Sequence, residues 1–347
     1  MGCDLGKLFG TAASRIPLAD EEEEDVPQFS WNRAPKADMK DYTFDGLQNE
    51  VAGKMPGTVN GNQFVIKDCE NADIYIFDYC GTVTVDDCKN CRLFIGPIKT
   101  SIFIRDCTNI VIVTACQQFR TRDCKKLDAF LYCVTQPIIE ATTGVKFGCF
   151  QFQYPELREQ FRAAGLGFFN NNWNNIHDFT PVPGESNHGV IRDYDTLSAY
   201  LPLPSIEPFN TVPIQTDSKS SVIPFTAGVK YRLAGESCLI AVFSHADQEQ
   251  AVRRILLSVP DLCLVRTVEM KLSDVQVKNV FHSDSYLRIA TIGDTVFLEF
   301  VGSDPVSKCR QAIEGMSREH LHVSADVEAA SREVNGLNSL TEMQMAV

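Results

Sequence analysis

Gln118, Arg120 and Arg122 alternate within the segment CQQFRTRDC at 116–124. In an extended strand every second side chain points to the same face, so the three would stand about 6.6 Å apart in a row. A guanidinium stays protonated and presents a planar fork of N–H donors, whereas lysine offers only a point charge. Held stiffly, such a fork could stabilise the charge that gathers on the β–γ bridge and γ oxygens during phosphoryl transfer, a task of positioning and electrostatics. The neighbouring glutamine could orient the fork or bond the nucleotide itself. The residues alone leave a plainer alternative open, because arginines on a surface strand are mostly solvated charges.

The element that would hold these side chains is a repeat. FVIKDCEN, VTVDDCKN, IFIRDCTN and FRTRDCKK share the pairs Asp68-Cys69, Asp87-Cys88, Asp106-Cys107 and Asp123-Cys124, spaced by 19, 19 and 17 residues. A short period rich in β-branched residues, with no helical pattern between copies, suits one coil of a β-solenoid. Five and three residues before each cysteine stand Phe64/Ile66, Val83/Val85, Ile102/Ile104 and Phe119/Thr121. All but Thr121 are apolar, which makes this the inward row, and the mostly polar alternate positions make the outward one. Val65 and Phe103 are outward exceptions that call for cover from another segment. Asn71, Asn90 and Asn109 recur where a coil must turn, with Lys126 in the fourth copy. This register sets Thr100 and Ser101 of the third coil beside Gln117 and Gln118. Coils on both sides would fix the backbone of Arg120.

CQQFRTRDC, TQPIIE at 135–140 and FGCFQFQYPEL at 147–157 resemble the tubulin-binding cofactor C homology family. Gln118 and Arg120 match the family's pattern of Gln, one residue, Arg. The resemblance implies a right-handed parallel β-helix that activates a GTPase through an arginine finger. It extends over nearly the whole chain to a two-domain member, through WNRAPKADMKDYTFDGL, MPGTVNGNQF, FNNNWNNIHDFTP and the C-terminal region. That member implies an Arf-like small GTPase as partner, in its GTP-bound state, handling lipidated ciliary cargo. Arg120 then carries over as the finger and Gln118 as its partner. Thr100, Ser101, Gln117, Phe119 and Glu140 carry over as nucleotide or GTPase contacts. For Glu140 a supporting salt bridge or turn role is an equal alternative. No cofactor is implied beyond the GTP and magnesium that the partner brings. The rival function is a non-catalytic effector or tubulin-related binding scaffold.

The remaining chain sets the context. Its 347 residues include 44% hydrophobic and 22% charged positions, enough to bury a sizeable core. A net charge of −13 argues against nucleic acid as a partner, since phosphate binding needs clustered cations. No apolar stretch reaches the ~18 residues that span a bilayer. Thirteen cysteines, without a secretory signal, read as reduced buried thiols. Cys88-Lys89-Asn90-Cys91 is a single CxxC, and zinc sites usually need a second pair; no metal is expected. Gly2 and Cys3 could be myristoylated and palmitoylated, and two chains anchor stably where one does not. Gly6 departs from the usual Ser or Thr of the acylation pattern. Acylation would place the protein at the cytoplasmic face of the plasma membrane, and the resemblance extends this to the ciliary base.

The expected organisation is a flexible acylated tail at 1–30, a β-helix at 31–185, a linker at 186–230 and an α/β domain at 231–347. CLIAVF, DQEQAVRRILLSV, CLVRTVEMKL, SDVQVKNVF, TVFLEFVG and DPVSKCRQAIEGM alternate strand and helix, which predicts a ferredoxin-like α/β sandwich. This region resembles a nucleoside diphosphate kinase: HVSADVE at 322–328 loosely echoes the segment around that enzyme's phosphorylated histidine. The first strand lacks the kinases' lysine, so the domain is expected to be inactive and His322 an ordinary surface residue.

Overall fold

The computed structural model describes residues 39–191, 197–231 and 234–345. Gly2, Cys3 and the tail at 1–30 therefore lie outside the described residues. The first strands are β1 (Thr43–Asp45), β2 (Val51–Lys54), β3 (Phe64–Lys67), β4 (Asp73–Ile76), β5 (Val83–Asp86), β6 (Arg92–Arg105), β7 (Thr108–Arg122), β8 (Lys125–Cys133), β9 (Ile138–Glu140) and β10 (Thr143–Cys149). They pair in parallel as a β-solenoid of about six turns. One face is built from β1, β3, β5, the C-terminal halves of β6 and β7, and β9. The other runs through β2, β4, the N-terminal halves of β6 and β7, β8 and β10.

The Asp-Cys motif works as a corner. Asp68, Asp87, Asp106 and Asp123 are left-handed, as are Asn71, Asn90, Asn109 and Lys126 three residues later. Short polar side chains tolerate that conformation best among non-glycine residues. Gly46 with Asn49 and Ala141 with Gly144 repeat the same pair of corners before and after the motif copies. Between corners the cysteine turns inward and its thiol donates to the carbonyl two residues back, as in Cys107 to Arg105 at 3.1 Å and Cys124 to Arg122 at 3.2 Å. Thr142 makes the same bond to Glu140 at 2.8 Å in the following coil. All twelve described cysteines are free thiols. Asp73 and Asp86 each accept a two-point bond from the arginine one coil on, Arg92 and Arg105.

The solenoid's second face is apolar outside as well as inside. Tyr75, Phe77, Phe94, Phe130 and Tyr132 project from it and are buried under Phe150, Phe152, Tyr154 and helix α1 (Leu157–Ala163). Short strands β11 (His177–Asp178) and β12 (His188–Val190) and helix α2 (Leu197–Tyr200) follow. The stretch expected as a linker holds buried Leu197, Leu201, Phe209, Val212, Val222 and Ile223. Its described residues form a packed strap: α2, a short turn at Phe209–Thr211 and irregular backbone after it carry the apolar residues into the core without a common period.

The C-terminal region comprises β13 (Glu236–Val242), α3 (Gln248–Ser258), β14 (Cys263–Lys271), α4 (Asp274–Phe281), α5 (Leu287–Ala290), β15 (Asp294–Gly302), α6 (Pro305–Ala312), β16 (Leu321–Val323) and α7 (Val327–Met345). Its antiparallel sheet has the order β14-β15-β13-β16, the ferredoxin-like arrangement. Alternation along β13 sends Leu239 and Ala241 toward α4 and α7, and Cys238, Ile240 and Val242 into one cluster with the solenoid's aromatic face. Solenoid and α/β region thus share a core. Three arginines reinforce this junction: Arg158, Arg162 and Arg253 surround Glu249 and the ring of Phe168.

Glu269 on β14 is half-buried at the same junction, its Oε2 lying 2.6 Å from where a Cβ on Gly167 would sit. Burial, and then the charge of Asp294, raises its carboxyl above the ordinary 4.5. A carboxyl so raised holds its proton more tightly folded than unfolded. Ionisation therefore destabilises the fold: the penalty is absent below the unfolded pKa and develops as pH rises through the folded one. Glu269→Gln is expected to raise the thermal midpoint near about pH 7 and to leave it unchanged below about pH 4. A lowered midpoint at neutral pH would instead make the carboxylate a favourable partner.

Candidate functional site

β7 is bonded on both sides where the candidate residues stand. Gln118 pairs in register with Ser101, and Arg120 lies between Phe103 of the preceding coil and Ile138 of the following one. The coil here is two residues shorter than its predecessors, and the register of β6 against β7 shifts between Ile95 and Ser101 to absorb the difference. The adjustment falls just ahead of Gln118, leaving Ser101 to Arg105 in unbroken register with Gln118 to Arg122.

Arg120 is exposed, and among the described residues it makes no ion pair and no side-chain hydrogen bond. The contrast with Arg92 and Arg105 is direct, since those guanidinium groups are committed to aspartates of neighbouring coils. Arg122 is also exposed but sits 3.3 Å from Asp123. Gln118 is half-buried; its Oε1 accepts from the Ser101 hydroxyl at 3.1 Å, which turns the amide nitrogen away from the coil below. Thr100 is absorbed into the stack, donating to Gly81 O at 2.9 Å and meeting the Thr82 hydroxyl at 2.7 Å. Gln117 is exposed, while its carbonyl accepts from the amide and hydroxyl of Thr135. Glu140 is exposed at the end of β9, in register with Arg122.

Phe119 is not a contact residue. It is 0% exposed inside the coil, its ring edge-on to Phe147 at 6.0 Å, as strand alternation between Gln118 and Arg120 requires.

Gln118 and Arg120 open into a cleft of about 550 Å³, walled by Ile138, His177, Phe179 and, from the α/β region, Val268 and Thr341. Phe179 is 59% exposed and packs edge-on against His177 at 4.5 Å. Sequence reasoning missed both as site residues, although FNNNWNNIHDFTP was conspicuous. Within that segment Trp173 and Asn171 are buried and structural. Asn171 Oδ1 accepts from the amides of Cys133 and Trp173, and its Nδ2 donates to Leu131 O. The anchored loop then places Asn170 and Asn172 on the wall of the cleft.

His322 is buried, with its ring nitrogens 2.8 Å from the Tyr286 hydroxyl and 2.9 Å from Glu333 Oε1. Glu333 Oε2 accepts from Ser324, whose hydroxyl also caps the amide of Leu239. The histidine expected at the surface instead ties β16 to α5 and α7. Among the described residues no group of three or more His, Cys, Asp or Glu could hold a metal ion. No described helix is long and apolar enough to cross a membrane.

Residues 61–179, the solenoid from β3 onward with its anchored loop, match the sequence model of the family Tubulin binding cofactor C. Over the full length of both chains, the sequence is 46% identical to Protein XRP2 of Gallus gallus and 43% identical to Protein XRP2 of Homo sapiens. The chain belongs to the XRP2 family. Tubulin-specific chaperone C of Homo sapiens is 29% identical over 168 residues, covering 48% of this chain and 49% of that one. Likeness to the chaperone is therefore partial, while the XRP2 family matches through the strap and the α/β region as well. The cleft at Arg120 is built from both parts.

Proposed function

We propose that this protein is a GTPase-activating protein for an Arf-like small GTPase, with Arg120 entering the partner's nucleotide site in trans. The observation that carries this reading is an exposed guanidinium, unpaired among the described residues, on a strand hydrogen-bonded on both sides. Such a group loses little freedom on docking, and phosphoryl transfer gains from positioned positive charge rather than from new covalent chemistry. Ser101 orients Gln118, which stands one step before Arg120 on the same face and can bond the nucleotide or the finger. Phe179 supplies an exposed aromatic beside the charge, a usual anchor at protein interfaces. GTP and magnesium come with the partner. Gly2 and Cys3, as acyl sites, would hold the protein at the cytoplasmic face of the plasma membrane, where a role in moving lipidated proteins to the cilium fits.

Single-turnover GTP hydrolysis by a panel of Arf-like GTPases, with and without this protein, tests the reading. Strong acceleration of at least one member is expected. Binding without acceleration across the panel would leave a non-catalytic scaffold.

A further inference from the structure

Strand register carries one row of side chains across the solenoid and through Arg120. Val65 pairs with Thr84, Thr84 with Phe103, Phe103 with Arg120, Arg120 with Ile138 and Ile138 with His177. Alternation turns Val65, Thr84, Phe103 and Ile138 outward with Arg120, since their neighbours along each strand are buried. Adjacent strands lie about 4.8 Å apart, so the row from Val65 to His177 is about 24 Å long.

Much of this row is apolar. Val65, Phe103 and Ile138 are half-buried, yet they belong to none of the apolar clusters that form the core. The elements that pack most on β3 and β5 are lateral strands of the same face, so the cover that Val65 and Phe103 call for is not supplied there. The flanking columns offer a partner little charge. On one side Lys67 is paired with Asp45 at 2.9 Å and Arg105 with Asp86 at 2.8 Å. On the other, the Thr82 hydroxyl meets Thr100 and Ser101 donates to Gln118. Between Arg120 and the first coil the row therefore presents apolar area in a neutral setting, interrupted by Thr84.

We infer that Val65 and Phe103 form an apolar docking track for the GTPase, with Phe103 as its anchor one strand from the finger. The inference rests on the GTPase-activating reading and assigns the side of the docking site that faces away from the cleft. An ordinary protein interface covers about 800 Å² of each partner, which is roughly 28 Å across. A GTPase centred on Arg120 would then reach Val65, about 14 Å away, and would cover Phe103 completely. Aromatic residues are enriched at the centre of such interfaces and charged ones depleted, which is the composition found here. The partner must accordingly carry an apolar patch that begins about 5 Å from the site of its γ-phosphate contact with Arg120. A nucleic acid or an anionic surface would instead need free cations along the row, and Lys67 and Arg105 are committed.

The test is steady-state stimulated hydrolysis with the full chain, varying the concentration of GTP-loaded GTPase. Phe103→Ala is expected to raise KM about tenfold with kcat unchanged, and Phe103→Leu to keep most of the native KM. Thr84→Val, which fills the polar gap in the track, is expected to lower KM about threefold, the effect of burying one more methyl group. A residue that merely supported the strand would not give these opposite shifts. An unchanged KM in Phe103→Ala, with the native protein active, overturns the inference and leaves the function standing. A fall in kcat alone also overturns it, since Phe103 would then steady the finger rather than hold the partner. If Phe103→Ala does not fold, Thr84→Val decides, and a KM that fails to drop counts against the track. Self-association of the native chain that Phe103→Leu preserves and Phe103→Ala abolishes would make a second copy the occupant and overturn it too. A native protein that stimulates no GTPase removes both the track and the function.

Discussion

Arg120→Ala is expected to lower stimulated GTP hydrolysis by about 10³–10⁵, the usual contribution of an arginine finger, while the protein still folds and binds its GTPase. The expectation of intact folding is local: the side chain is exposed, and no described residue pairs with it. Surface substitutions of that kind usually shift stability by less than about 0.5 kcal/mol. Arg120→Lys should recover little activity, because a single ammonium cannot reproduce the planar fork. Arg122→Ala is the internal control. It removes an equal charge from the same strand face, so a general electrostatic effect would weaken both variants alike. If Arg120→Ala retains native kcat in single-turnover measurements, the finger assignment is wrong, whatever its binding.

Point substitution is the right instrument here, and the structure explains why truncation is not. A fragment ending near residue 230 would uncover the apolar face that Ile240, Val242, Val252 and Ile255 share with Phe77, Phe94 and Phe152. Loss of activity in it would report the exposed core rather than the site.

The solenoid and the orientation of Arg120 were legible because both depend on local regularities. The Asp-Cys pair marks a corner, and two-residue alternation then decides which side chains leave the coil. The coils at either end were hidden because Leu47 and Thr142 stand where the others have cysteine, although Thr142 makes the thiol's hydrogen bond and the corners at Gly46/Asn49 and Ala141/Gly144 persist. Phe119 shows that a motif marks a residue without saying which way it points; alternation had already turned it inward. The cleft was out of reach for a different reason. Its walls come from positions as far apart as Gln118 and Thr341, and no sequence period links them. The strap and α7 were overlooked for related reasons, the first having no repeat and the second lying beyond the βαβαβα pattern.

Trp173→Ala is expected to be the most destabilising single change near the site. The indole is fully buried in the solenoid's core, and truncating such a residue typically costs about 3–5 kcal/mol. Its Nε1 also donates to the Thr226 hydroxyl at 3.0 Å, and that buried hydroxyl would keep only its weak contact with the Cys149 thiol at 3.9 Å. Just beyond Thr226, the amides of Ala227 and Gly228 bond to Leu264 O and Val265 O of β14 at 2.9 and 2.8 Å. The tryptophan thus joins the last coil, through the strap, to the α/β sheet. Against a total stability of about 5–15 kcal/mol, the loss is large enough to unfold part of the population at physiological temperature. Because the two regions share one apolar cluster, calorimetry should show the native protein and the variant each melting in a single transition, the variant's displaced well downward. An upper transition that stays at the native temperature would mean that the solenoid and the sheet are stabilised separately. The cleft would then be a hinge between independent domains, and its two walls could not be counted on to meet one partner in a fixed geometry.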